Sequence, residues 1–466
     1  MSKHLFRILG ATFLFLALPS VTQGVTMNFS GHFRSEGDVY SKLNLGAPNG
    51  NPSKAYILSR VLLNPKLVID DHFSLNGQIN LLQSNRFAPS TDSNSLGQGN
   101  GGFVFGDPNP QSRLNRVWLE WVSDFGVVRI GRMPISWGYG LIYDAGAGVF
   151  DDFQSTLDRL EYRLHFGHLV GAAAYSKGGK LSTLGNENDQ EFYTLYLRYD
   201  NPEEDMEWGG LYERQVRSPS QRGNLATSGN PLYISTNAVA AGATQPPFAA
   251  FAPYPLSNNL FDVYFRRTIG YFTFGGEGAW LSGTAIDFTN NNQEDVLNAF
   301  GVMFNVSYNY HQVKAFFDFL YASGDASIDS DRLNGFALLH RNRRPGLILG
   351  RELLGSYHNS SVQQGSLLYY GAANSFSGAI YFRPGVRVDW SPSWASGFEV
   401  IVARKAATTA GEAANLGVEI DVGTDHEFYK NFDIGATVAY LFPGDGITGS
   451  AGAGAFGFRT TAAVKF

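Results

Sequence analysis

The sequence predicts an all-β protein: a single transmembrane antiparallel β-barrel of about 18 strands, with short periplasmic turns and long extracellular loops. Three observations predict it. Polar and apolar residues alternate with period two along most of the chain. Connections between these segments alternate between short and long. The last strand ends on an aromatic residue, Phe466. A strand places alternate side chains on opposite faces, so period two can put one face in lipid and the other in water.

In chain order, residues 1–24 come first. Lys3, His4 and Arg7 precede the apolar run from Ile8 to Leu18, and a small-residue stretch from Ser20 to Gly24 follows. This is the three-part pattern of a secretory signal peptide, and the run is short for a bilayer span. Residues 25–466 then form the barrel, with no room for an amino-terminal plug domain before the first strand. That strand alternates Met27, Phe29, Gly31 and Phe33 with Asn28, Ser30, His32 and Arg34. A later one sets Phe73, Leu75, Gly77, Ile79 and Leu81 against Ser74, Asn76, Gln78 and Asn80. The sharpest alternation puts Leu160, Tyr162, Leu164 and Phe166 outward and Arg159, Glu161, Arg163 and His165 inward. Near the end, Ile380, Phe382, Pro384, Val386, Val388 and Trp390 oppose Tyr381, Arg383, Gly385, Arg387 and Asp389. Pro384 lacks a ladder donor and predicts a bulge or irregularity. The final strand alternates Phe456, Phe458, Thr460, Ala462, Val464 and Phe466 with Gly457, Arg459, Thr461, Ala463 and Lys465.

Eight short connections lie near 70–72, 124–126, 167–168, 200–205, 269–270, 310–311, 391–394 and 429–432. Nine long ones cover roughly 37–56, 85–112, 134–157, 178–189, 217–257, 285–295, 323–377, 407–415 and 442–453. Seventeen connections join 18 strands, and short turns on one side with long loops on the other are the habit of bacterial outer-membrane barrels.

Composition excludes several classes. Charged residues are 16%, aromatic residues 14%, and there are 54 glycines and no cysteine. Soluble domains average roughly 25% charged residues. A formal charge of −6 gives no footprint for nucleic acid. No stretch after residue 24 reaches the apolar length of a membrane helix. The chain has no Gly-x-Ser-x-Gly elbow, no His-Glu-x-x-His pair and no phosphate-cradling loop, so an enzyme is not expected, and no cofactor or metal is predicted.

Two residue groups carry the functional expectation. Inward parity assigns Arg129, Arg159, Glu161, Arg163, Arg198, Arg383, Arg387 and Asp389 to the pore lining. Arginines on a lumen wall lower the barrier for an anion; pairing across strands would instead leave them merely as wall. The loop at 134–157 is expected to fold inward as a constriction, with Trp137, Tyr139, Tyr143 and Asp151. Trp118, Trp121, Trp208, Trp280, Trp390 and Trp394, and for the most part Tyr139 and Tyr143 as well, read as interfacial girdle residues. The loop at 323–377 adds a basic group, His340, Arg341, Arg343, Arg344 and Arg351, suited to gathering anionic solutes or binding lipopolysaccharide phosphate.

The stretch Val127 to Tyr143, continuing to Phe153, resembles the alginate-export family of outer-membrane porins. The similarity lies in Arg129, Gly131, Arg132, Trp137, Gly138, Gly140, Phe150, Asp151 and Arg159. The resemblance implies a channel in the outer membrane of a Gram-negative bacterium, with an arginine-lined constriction and passive passage of small polar or anionic solutes, including acidic saccharides. It also implies a monomer. The partners expected are outer-membrane lipid and lipopolysaccharide, the barrel-assembly machinery through Phe466, and the solute, with no nucleic acid. A transporter for hydrophobic compounds and a barrel enzyme remain as alternatives.

Overall fold

The computed structural model describes residues 25–43, 53–82, 113–151, 154–178, 190–217, 256–287, 293–324, 332–333, 345–353, 378–408, 411, 413–446 and 454–466. Residues 1–24, expected to be a signal peptide, and the basic residues His340 to Arg344 lie outside them. Eighteen strands form the wall: β1 Thr26–Ser41, β2 Ser53–Val68, β3 Phe73–Leu82, β4 Arg113–Ser123, β5 Gly126–Pro134, β6 Thr156–Phe166, β7 Leu169–Gly178, β8 Gln190–Asn201, β9 Met206–Arg217, β10 Leu256–Ile269, β11 Phe272–Asp287, β12 Gln293–Tyr310, β13 Val313–Ala322, β14 Ala379–Ser391, β15 Trp394–Lys405, β16 Asn415–Phe428, β17 Phe432–Pro443 and β18 Ala455–Lys465. Each pairs antiparallel with its sequence neighbour, and β1 also pairs with β18 to close the barrel. Closure is obligatory in lipid, where nothing else satisfies the backbone groups of an open edge. The seam is completed at its end by Gly31 and Phe466, whose amides and carbonyls exchange bonds at 2.8 and 3.1 Å. A two-residue piece, Arg332–Leu333, adds a parallel bridge to β12.

The short turns at the periplasmic end span two to four residues, eight in all, and match the predicted positions. In the first of them, the amides of His72 and Phe73 donate to Asp70 Oδ1 at 2.8 and 2.7 Å. Those two backbone donors hold the Asp70 carboxyl below its usual range. The predicted parities hold. On β6, Leu160 is 48% exposed on the outer face while Arg159 is 5% exposed inside. On β18, Phe456 and Val464 face out and Ala455, Gly457 and Ala463 face in. Pro384 interrupts the β14–β15 ladder between Phe382 and Gly385 but does not shift its register. The shift falls lower, between Asp389 and Ser391.

The outer wall carries the aromatic girdle that parity suggests. Trp121, Trp208, Trp390 and Trp394 sit exposed near the short-turn end, with Tyr271, Tyr310 and Tyr429. Trp280 lies higher, stacked with Phe261. Three expected girdle residues are elsewhere. Trp118 faces the lumen, with the Arg129 guanidinium 5.7 Å from its ring centroid. Tyr139 and Tyr143 belong to a segment inside the barrel.

The interior has two levels. Toward the short-turn end the lumen wall is polar and charged. Toward the long-loop end it is apolar, with Tyr40, Leu58, Leu281, Leu297, Leu416 and Leu441 in one buried cluster. Two inserts fill that level. One is the arch between β5 and β6, residues 135–155. The other is a short π-helical segment, Gly346–Leu353.

Candidate functional site in the lumen

The arch crosses the lumen, and the wall grips its two halves with opposite chemistry. Its carboxyl-terminal half is held by arginines that bind backbone carbonyls. Arg34 Nη1 donates to Val149 O at 3.1 Å, and Arg60 Nη1 donates to Asp151 O at 2.9 Å. Arg116 Nη2 donates to Ala145 O at 2.7 Å and Ser155 O at 3.2 Å. These side chains come from β1, β2 and β4. Its amino-terminal half is held by carboxylates on β9, β10 and β11. Trp137 Nε1 donates to Asp262 Oδ1 at 2.8 Å. The amides of Tyr139 and Leu141 donate to Glu277 Oε2 at 2.5 and 3.2 Å. Tyr143 Oη donates to Glu213 Oε1 at 2.6 Å. Charged acceptors and donors make the stronger class of hydrogen bond, and all of these lie in a water-poor interior.

Packing reinforces the acidic side. Trp137 is 6% exposed and meets Tyr264 edge-on with ring centroids 5.0 Å apart. Tyr139 seats its ring on Gly275, where any Cβ would overlap the phenol. Gly138 has a φ of +52° and leaves room for Glu277 Oε2, 2.6 Å from where a Cβ would sit. Burial pushes the Tyr139 phenol up to about 12, because its charged form would sit away from water.

The arch carries Trp137, Tyr139 and Tyr143 in its half against β9 to β11, and Asp151 in its half against β2. The basic residues assigned to the pore are also inward, but each is paired. Glu161 is shared by three of them: Arg159 at 3.0 Å, Arg163 at 2.5 Å and Arg129 at 3.4 Å. Arg129 also reaches Glu120 at 3.3 Å. Arg383 pairs with Asp318. Farther down, Arg387 bridges Asp389 and Asp425, both at 3.1 Å. Arg198 bridges Asp200 at 3.1 Å and Glu207 at 3.0 Å. Arg387 and Arg198 lie near the short turns, well away from the arch. Arg132 does not belong to the lumen at all: it lies on the outer face, exposed and paired with Asp158 at 2.9 Å. Gly131, with a φ of +129°, is in the motif for a structural reason, because a Cβ there would meet the Trp118 backbone at 2.9 Å.

Sequence reasoning missed the residues that hold the arch. Arg34 was assigned inward, but Arg60, Arg116, Glu213, Asp262 and Glu277 were not singled out. Their signal was weak, since a polar inward position looks the same whether it faces water or a folded-in loop. The net pattern is an excess of arginine on β1 to β6 and of carboxylate on β9 to β16.

No protein-family model matches the sequence, and no curated protein matches it. Solved structures do match in fold. OccK9 of Pseudomonas aeruginosa aligns over 94% of this chain and 98% of its own, with 10% identity and a TM-score of 0.56. OccAB1 of Acinetobacter baumannii aligns over 94% and 96%, with 10% identity and a TM-score of 0.54. A BenF-like porin of Pseudomonas fluorescens aligns over 94% and 98%, with 8% identity and a TM-score of 0.54. The shared feature is the closed outer-membrane barrel. The apolar outer belt of that barrel is the surface a lipid bilayer requires.

Proposed function

We propose that the protein is a porin-like channel for passive entry of small anionic solutes. One observation carries this reading: the arch narrows a closed barrel beside a cluster in which Arg129, Arg159 and Arg163 share Glu161 and Glu120. Arginines outnumber carboxylates there, and a low-dielectric wall leaves that excess poorly screened. The motif resemblance to alginate-export porins supports an anionic cargo, acidic saccharides among them. Phe466 at the seam fits a signal for the assembly machinery, and the outer girdle fits lipid and lipopolysaccharide. The test is reversal potential of the purified protein in planar bilayers across a potassium chloride gradient. Anion-selective discrete openings support the reading; cation selectivity refutes the cargo.

A second reading is transport of hydrophobic compounds. The buried apolar cluster at the long-loop end favours it, because a channel for hydrated ions gains nothing from such a layer. A membrane that stays silent while the barrel is folded would favour this transporter over the channel.

A further inference from the structure

Arg132 lies outside the lumen, and it does not lie there alone. Across the ladder Arg132 of β5 stands opposite Asp158 of β6, Asp158 opposite Lys177 of β7, and Lys177 opposite Glu191 of β8. All four point outward, and Glu191 is the most covered of them. Arg214 of β9 continues the series beside Tyr193. An outward charge is costly at the bilayer midplane and nearly free at the interface. From Asp158 and Lys177 to the short turn at 167–168 the strands run about 30 Å. At the usual tilt that spans most of an apolar band about 25 Å tall. The row therefore stands at the long-loop edge of the belt, where headgroups begin. The far wall differs. Near the long-loop end of β17, β18, β1 and β2 the outward residues include Phe442, Phe456, Val39 and Ile57, all exposed and none charged.

The ion pairs do not use up the cations. Arg132 gives two of its N–H donors to Asp158, at 2.9 and 3.3 Å, and a guanidinium has more to give. Exposed pairs of this kind add little to stability. Arg214 donates to Asn259 at 3.0 Å and to Ser257 at 2.7 Å, both neutral acceptors. Glu191 is steadied by the hydroxyls of Tyr175 and Tyr193, each at 2.9 Å. Those two rings lie 5.3 Å apart, and Tyr193 is 47% exposed. Toward the short turns, Leu160, Leu195 and Leu197 are exposed on the same face. The surface thus offers cations, an aromatic shelf and an apolar slope in that order. A soluble anion or an acidic peptide would meet only the first of these.

We propose that the outer face of β5 to β9 binds a phosphorylated glycolipid of the outer leaflet. Its phosphates meet Arg132, Lys177 and Arg214, a sugar ring lies on Tyr193, and its acyl chains run over Leu160, Leu195 and Leu197. Guanidinium groups suit phosphate because their paired donors match two of its oxygens. A tyrosine ring suits the boundary because it has an apolar body and a polar tip. The proposal deepens the outer-membrane porin reading above and rests on it.

The test titrates the purified, lipid-free barrel in detergent with fluorescently labelled lipopolysaccharide, and with the same glycolipid after its phosphates are removed. The wild type should bind the phosphorylated form saturably and the dephosphorylated form far more weakly. Each lost charge-assisted contact weakens binding by about tenfold, so Arg132→Gln with Arg214→Gln should bind about a hundredfold more weakly. If that pair does not fold, Lys177→Gln alone should still weaken binding about tenfold. Arg404, exposed near the end of β15 and apart from the row, is the control: Arg404→Gln should bind as the wild type does. Undiminished binding by the row variants, equal binding of the two glycolipid forms, or an equal loss in Arg404→Gln overturns the site. Sucrose-gradient fractionation of the producing cells separates this from failure of the reading beneath it. A barrel recovered away from the outer membrane removes that reading and the site together. A barrel in the outer membrane that binds no lipopolysaccharide removes the site alone.

Discussion

Replacing Glu277 by alanine isolates the contribution of one wall carboxylate to the bore. In the wild type Glu277 Oε2 accepts the amides of Tyr139 and Leu141 at 2.5 and 3.2 Å. The side chain is 2% exposed, so water does not replace it when it is lost. A buried donor left without a partner costs about 1–3 kcal/mol, so two cost about 2–6 kcal/mol. At about 4 kcal/mol the ratio of docked to undocked arch falls about a thousandfold. Trp137 keeps its bond to Asp262 and the arginines keep their carbonyls, so the arch should loosen at one end rather than leave. The expected result is a noisier channel with larger conductance, in a barrel that still resists unfolding in a heat-modifiability gel. Glu277→Gln retains one acceptor oxygen and should recover most of the wild-type level. A Glu277→Ala channel with wild-type conductance and noise would show that the aromatic contacts alone hold the arch.

Other outcomes follow from the same geometry. Leu164 shares the lipid face of β6 with Leu160 and Tyr162, whereas His165 faces the lumen. Leu164 lies close to the short turn at 167–168, near the interface, so Leu164→Arg should destabilise the barrel in lipid by up to about 1 kcal/mol, and His165→Arg by less, in a urea titration. Arg159→Ala with Arg163→Ala should shift the reversal potential toward cations, most at low salt, where the Debye length nears ~30 Å. No shift at any salt concentration would mean that ion pairing already neutralises them. The Tyr139 phenol should titrate at about 12 by ultraviolet absorbance. Because docking raises it, the stability it lends the arch is complete below the ordinary tyrosine range and is lost as pH rises through about 12. Tyr139→Phe should remove that alkaline transition. Deleting Phe466 should lower surface levels in cells more than it lowers the stability of folded barrel in detergent.

The wall was legible in the sequence because lipid and water impose opposite demands on successive residues. Leu160 and Arg159 could not exchange faces without placing a guanidinium in hydrocarbon, so parity alone fixed the strand. The inward course of the arch was also legible, from glycines and aromatics without strand alternation. What sequence could not reveal was the use of the lumen charges. Glu161 and Glu277 both sit at inward positions of alternating strands, yet one neutralises arginines and the other holds a loop. That difference depends on what lies across the barrel, often more than a hundred residues away. Trp118 was misplaced for a related reason, since an indole suits a headgroup and a cation equally well.

The arch and its sockets are made from different parts of the chain, and this limits how the molecule can be re-engineered. The segment at 135–155 owes its path to Arg34, Arg60 and Arg116 on one side and to Glu213, Asp262 and Glu277 on the other. Moved into another barrel without those six partners, it would bring amides, carbonyls and an indole into a wall that offers them nothing. The transferable module for pore design is the arch together with its sockets, a unit scattered along the sequence but contiguous in space.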